Sequence, residues 1–147
     1  MALSHQVEET EIRAQIDAWG AALRAKHLEK IVSRYAPDAV TADLAPPLWN
    51  RGADALRKNF GEWFRSWIGP IGFEMRDVHV TTSGDVAFAR MLNHIQGMRT
   101  NGEATDVWVR ATVCFRKIGG EWKVVHEHVS VPFYMDGSFR AAVDLKP

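Results

Sequence analysis

The stretch Val125-His126-Glu127-His128-Val129 sets three titratable side chains in a row among β-branched residues. On a strand, alternation sends His126 and His128 to one face and Glu127 to the other. Two histidines at i and i+2 can chelate a metal, but a working site needs a third ligand and an outer shell of hydrogen bonds. His94, on a neighbouring expected strand, is the conceivable third, and no cysteine pair or His-Glu-x-x-His pattern supports it. The pattern therefore predicts no metal site. Asp43 is a second carboxylate of interest. It ends a short run of strand formers before Leu44-Ala45-Pro46, where its plainest role is to cap a backbone N–H.

Arg90, Asn93 and His94 fall on one expected strand, Trp108 and Arg110 on the next. An arginine turned inward would suit an anionic ligand such as a carboxylate; the favoured reading is that these residues decorate the outer face of the sheet. Cys114 lies in the apolar run Thr-Val-Cys-Phe and reads as a small buried hydrophobe rather than a nucleophile. Nothing resembles a glycine-rich phosphate loop, a Gly-x-Ser-x-Gly elbow or a dinucleotide fingerprint, so no cofactor is expected.

Positioning these groups requires regular elements, and the periodicity supplies them. Ile12, Ile16, Trp19 and Leu23 recur at i, i+4, i+7 and i+11, one stripe of a helix over about 7–26. Leu28, Ile31, Val32 and Tyr35 predict a shorter helix that Pro37 stops. Residues 38–43 read as a strand, Ala45-Pro46-Pro47 as a loop, and Leu48-Trp49-Asn50 as a returning strand. Gly52 opens a third helix with the aromatic stripe Leu56, Phe60, Trp63, Phe64 and Trp67, ended by Gly69-Pro70.

From Ile71 the character changes. Residues 73–82, 85–98, 104–117 and 121–132 are rich in Val, Thr, Phe and Trp, and short turns at 83–85, 99–102 and 119–120 separate them. Such an order predicts an antiparallel meander. Residues 134–147 carry a turn at Asp136-Gly137 and little periodicity, which suggests a loosely attached tail. Helices followed by a meander predict an α+β fold: a cone-shaped, curved antiparallel sheet wrapped around three N-terminal helices. Its open end would leave a concavity for a small molecule.

The 147 residues fit one domain, 1–147, with its core at about 8–133. Eighteen basic residues balance eighteen acidic ones, which argues against a nucleic-acid partner, because phosphate binding needs clustered Lys and Arg. A single cysteine cannot form an internal disulfide. Apolar runs are far shorter than a membrane span, and Met1–Glu11 is polar without a hydrophobic leader, so a cytoplasmic location is expected.

Two passages resemble a known family. Tyr35-Ala-Pro-Asp-Ala-Val-Thr-Ala-Asp43, followed by a proline turn and Arg51-Gly52, looks like the lead-in to the first strand of the nuclear-transport-factor-2-like (cystatin-like) superfamily. Gly120-Glu-Trp-Lys-Val-Val-His-Glu-His-Val-Ser-Val-Pro132 looks like the last strand of its SnoaL-like group and of the calcium/calmodulin-dependent kinase association domain. Ketosteroid-isomerase-like members are similar as well. This superfold hosts enzymes, binders and association modules alike.

The resemblance implies roles residue by residue. Asp43, eight residues after Tyr35, stands where ketosteroid isomerases hold their general base. Trp19 occupies the place of the family's oxyanion tyrosine, Ala111 that of its protonated aspartate, and Phe60 that of a further aromatic. An indole N–H is a poor match to a developing enolate and alanine donates nothing, which argues against steroid isomerisation. The resemblance also turns Val125, Glu127 and Val129 into the concavity and the histidines outward, making Glu127 the second ionisable candidate.

The expectation is thus a small, mostly apolar ligand in a pocket walled by Trp19, Phe60, Trp63, Phe64, Trp67, Ala111, Val125 and Val129. Asp43 would act as base in cofactor-free proton transfer, with Trp19 orienting the substrate. The alternative is a non-catalytic binding or association module. A homodimer through the outer sheet face is expected in either case.

Overall fold

Ile12, Ile16 and Leu23 are buried along one stripe of α1 (Ala2–Arg24) in the computed structural model, which describes residues 2–147. The helix begins before its apolar stripe does, so its first turns are solvated. It lies on the inner face of the sheet, where Arg13 and Arg24 donate to the carbonyls of Val78 and Phe73 at 3.0 and 2.9 Å. Gly20 permits that approach: a Cβ there would lie 2.7 Å from the Met75 methyl carbon.

The short helix α2 (Leu28–Val32) stops earlier than its apolar spacing predicts. Tyr35 instead opens β1 (Tyr35–Ala42), and Pro37 falls in an irregular stretch where a missing N–H costs no ladder bond. The returning strand is only β2 (Asn50–Arg51), which leads into α3 (Gly52–Arg65). Trp67 corrects the expected helix. Ser66 closes α3 by donating its hydroxyl to the Trp63 carbonyl at 2.6 Å, and Trp67 becomes the first residue of β3 (Trp67–Ser83).

The meander then runs β3, β4 (Val86–Arg99), β5 (Ala104–Ile118) and β6 (Glu121–Ser130), each antiparallel to the last. Gly119 and Gly120 both take positive φ in the two-residue turn, the geometry whose twist matches the strands it joins. The six-stranded sheet has the order β2-β1-β6-β5-β4-β3. It is mixed rather than wholly antiparallel, because β1 enters beside β6 in parallel. The helices close one end of the curved sheet, and the core fills the space between them.

One irregularity matters more than the rest. Val124 pairs with Phe115 but His126 pairs with Cys114, so Val125 is an extra residue in β6, a β-bulge. Trp122 and Val124 face inward before it; Glu127 and Val129 face inward after it. Strict alternation from Trp122 would have turned the histidines in and Glu127 out. The tail is also more ordered than its composition suggests. Phe133 bridges Ala141, Ala142 is 3% exposed, and the Tyr134 hydroxyl donates to Asp144.

Candidate functional site

The concavity is a cavity of about 470 Å³, within the range of about 300–1,000 Å³ usual for small-molecule sites. α1 contributes Trp19 and Leu23, and α3 contributes Phe60 and Trp63. The sheet contributes Phe73, Ile95, Val109 and Val129. An inner chamber of about 40 Å³ lies behind it, walled by Gln15, Tyr35, Ala111 and Val124 among others. Trp19, Asn93 and Glu127 border both spaces and so stand at their junction.

Glu127 is the carboxyl group at this junction, and its neighbours are mostly apolar. Loss of hydration pushes its pKa from 4.5 up to about 7, and the charge of Asp43 pushes the same way, against a hydrogen bond from Tyr35. The Tyr35 hydroxyl donates to Glu127 Oε2. Burial and the adjacent carboxylate hold Tyr35 well above the ordinary phenol range, while a hydrogen-bonding interaction with the Trp19 indole opposes that rise. Tyr35 is consequently a neutral donor at all ordinary pH. A carboxyl that titrates near 7 inside a mostly apolar cavity can serve as base or acid without a large proton-transfer penalty.

Asp43 lies just beyond the end of β1, exposed at the cavity mouth, and its Oδ1 accepts the Leu44 N–H at 2.7 Å. The simple capping role of a strand-end carboxylate is therefore present. Trp19, Phe60, Trp63 and Val129 line the main cavity, and Ala111 the inner chamber.

Three expected wall residues do not reach either space. Phe64 is 6% exposed and packs into the core against Phe60 and Trp63. Trp67, displaced from the helix, packs edge-on against Trp63 with ring centroids 5.5 Å apart. Val125 is the bulge residue, and Val124 takes the inward place instead. Trp19 walls both spaces, and its indole lies close enough to Tyr35 to oppose the rise of that phenol's pKa.

Asn93 is the residue that sequence reasoning misplaced. On β4 it alternates with Arg90 and His94, so the three cannot share a face. Arg90 is exposed, and His94 stacks on Trp108 outside, 4.3 Å between centroids, with its Nε2 2.6 Å from Asp106. Asn93 turns inward, is 5% exposed, and its Oδ1 has no hydrogen-bond partner. A buried amide oxygen left unpaired costs stability, and it is the kind of acceptor that a ligand's N–H or O–H satisfies. Its signal was legible as parity: it shares inward spacing with Met91 and Ile95.

His126 donates from Nδ1 to the Val40 carbonyl at 2.6 Å, and β5 separates its strand from that of His94. Among the described residues no group of three or more His, Cys, Asp or Glu could hold a metal. Cys114 is partly buried, and that burial pushes its thiol up, away from nucleophilic chemistry. No helix among the described residues is long and apolar enough to cross a membrane.

A family model described as a SnoaL-like domain matches residues 12–134. Among solved structures, an NTF2-like protein of unknown function from Pseudomonas putida is 35% identical, over 97% of this chain and 98% of its own, with a TM-score of 0.88. A protein from Novosphingobium aromaticivorans, provisionally named a scytalone dehydratase, is 18% identical over 97% of this chain and 95% of its own, with a TM-score of 0.82. A ketosteroid isomerase-like protein from Erwinia carotovora is 23% identical over 82% and 93%, with a TM-score of 0.71. The last two likenesses concern the fold alone. No curated protein matches the chain.

Proposed function

Because this chain belongs to the SnoaL-like family, we propose that it binds a small, mostly apolar carbonyl compound in the main cavity and moves a proton on it, without a cofactor, through Glu127. The observation that carries this reading is the Glu127 carboxyl itself, set between apolar walls, bonded by Tyr35 and titrating at about 7. Relatives of the same fold named dehydratases or ketosteroid isomerase-like make such chemistry reasonable for the superfold, though not specific to this chain.

In the proposed step the Glu127 carboxylate removes a proton from carbon next to the carbonyl. The electron pair moves to the carbonyl oxygen as an enolate, which accepts from the Asn93 carboxamide N–H. Returning the proton to another carbon completes an isomerisation. Alternatively, a β-hydroxyl leaves, takes the proton from the carboxylic acid and departs as water. Tyr35 and Trp19 are positioning residues that orient the carboxyl. Asp43 at the mouth raises the pKa of Glu127 and is the second carboxylate to test as base.

The test is exchange of the α-protons of 2-tetralone in deuterated buffer, followed by NMR. Glu127→Gln should slow exchange by about 100-fold or more, the usual contribution of a general base. Asp43→Asn should leave it within about threefold, as a charge acting through solvent does. Loss of exchange in Asp43→Asn alone would move the base to Asp43. Full exchange in both variants removes the proton-transfer reading.

A second reading, the association module, draws on the outer sheet face. Phe88 is 48% exposed there, across from Cys114. A homodimer through this face would cover it, and sedimentation over a range of concentrations tests that: a monomer at every concentration refutes it.

A further inference from the structure

Arg99 is the sole cation among the described residues that line the main cavity. It ends β4 and shares the inward parity of Asn93 and Ile95, so one strand carries a polar group at each end of the wall and an apolar residue between. We propose that Arg99 anchors a carboxylate on the ligand, and that the site takes monoanionic carboxylic acids with an aromatic or alicyclic body.

The guanidinium is held rather than free to swing. Its Nη2 donates to Ser66 Oγ at 2.6 Å, and its Cζ lies over the Trp67 ring, 4.2 Å from the centroid. Trp67 reaches this position because residue 97 is glycine: a Cβ there would stand 2.9 Å from the ring. The displacement of Trp67 from helix to strand thus creates the platform on which the arginine rests. A rigid fork loses little freedom when it pairs with a second fork-shaped group.

Its charge has no partner. Arg13, Arg57 and Arg76 each pair with a carboxylate, and Arg99 forms no ion pair among the described residues. Glu62, Asp43 and Glu127 border the same cavity without pairing to it. A guanidinium offers five N–H donors, and the bond to Ser66 uses one, which leaves a planar set for a bidentate carboxylate. These acidic neighbours also choose the charge of the ligand. One cation can balance a single negative charge there, whereas a phosphate monoester would add a second one facing Glu62 and Asp43.

This inference rests on the cavity being a ligand site and is independent of whether Glu127 moves a proton. The experiment is calorimetric titration of 2-naphthoate and of its neutral isostere 2-naphthamide into the wild-type chain, Arg99→Gln, Arg99→Lys and Glu127→Gln. The wild type should bind the acid about tenfold or more tighter than the amide, the worth of one charge-assisted hydrogen bond. Arg99→Gln should erase that preference while leaving amide binding within about twofold, the behaviour of a site whose walls are intact. Arg99→Lys should keep part of it, and Glu127→Gln should keep or raise it, since that change removes a carboxyl from the same cavity. Equal affinity for acid and amide, an acid preference that survives in Arg99→Gln, joint loss of both ligands in that variant, or no binding of the acid overturns the assignment. Failure of proton exchange on 2-tetralone, with the acid preference intact, would instead remove only the catalytic reading.

Discussion

Tyr35 on β1 donates its hydroxyl hydrogen to Glu127 on β6, although the backbone register places Tyr35 beside Val124 and Glu127 beside Thr41. The two side chains meet at the junction of the two cavity spaces because the irregular stretch of β1 and the bulge at Val125 re-aim them. The pair sets both the acid–base character of the site and part of the stability of the fold.

The folded chain holds a proton on Glu127 that the unfolded chain releases, since burial raises this carboxyl from 4.5 to about 7. Its contribution is most favourable below about pH 4.5, falls as pH rises through the window up to about 7, and is then constant. The full loss is about 3 kcal/mol. Urea unfolding at pH 5, 6 and 8 should show this decline in the wild type and a much shallower one in Glu127→Gln. Equal slopes in the two proteins would mean that the carboxyl is hydrated in the folded state.

Tyr35→Phe removes the hydrogen bond that holds the Glu127 carboxyl down, so the carboxyl should titrate higher. The pH midpoint of 2-tetralone exchange should move upward from about 7, with a plateau rate retained once the base is ionised. A variant that merely loosened the fold would lower the plateau and leave the midpoint in place.

Asn93→Leu replaces a buried carboxamide whose oxygen has no partner by an apolar group of similar volume. Stability should rise by about 1 kcal/mol, while 2-tetralone exchange should slow as the enolate loses its donor. A variant that is both less stable and fully active would show that Asn93 has a structural partner instead.

Gly97→Ala should destabilise the chain by about 1–3 kcal/mol. Residue 97 has φ +151, and the added methyl would strike the Trp67 ring. Thermal melts report the cost. Because Trp67 carries Arg99, the acid-over-amide preference should shrink in the same variant, and a preference unchanged from wild type would separate the platform from the arginine.

Much of the architecture could be read from the chain alone. The spacing Ile12, Ile16, Trp19 and Leu23 specifies a helix with one buried face, and the Gly119-Gly120 turn between β-rich runs specifies a hairpin, because both are local effects of period and turn chemistry. The aromatic stripe on α3 was legible too, and two of its residues, Phe60 and Trp63, line the cavity. Asp43 was legible only as a position at a strand end, and its exposure depends on a loop whose path no local rule gives.

Periodicity could not decide where each period stops. The stripe on α3 continues in phase to Trp67, but the helix ends at Arg65, closed by a Ser66 side-chain bond, and Trp67 then packs over Gly97 from a strand. In β6 the alternation of Val125, His126, Glu127 and His128 is the same with or without a bulge. A single inserted residue exchanges the two faces of everything before it relative to everything after it. The pairing of Val124 with Phe115 and of His126 with Cys114 is a long-range fact, set by how β5 and β6 bury their apolar sides together. The amino-acid order therefore determined the elements and their apolar faces. The meeting of Glu127 with Tyr35, the inward turn of Asn93 and the resting place of Arg99 on Trp67 arose only when distant strands fixed their register.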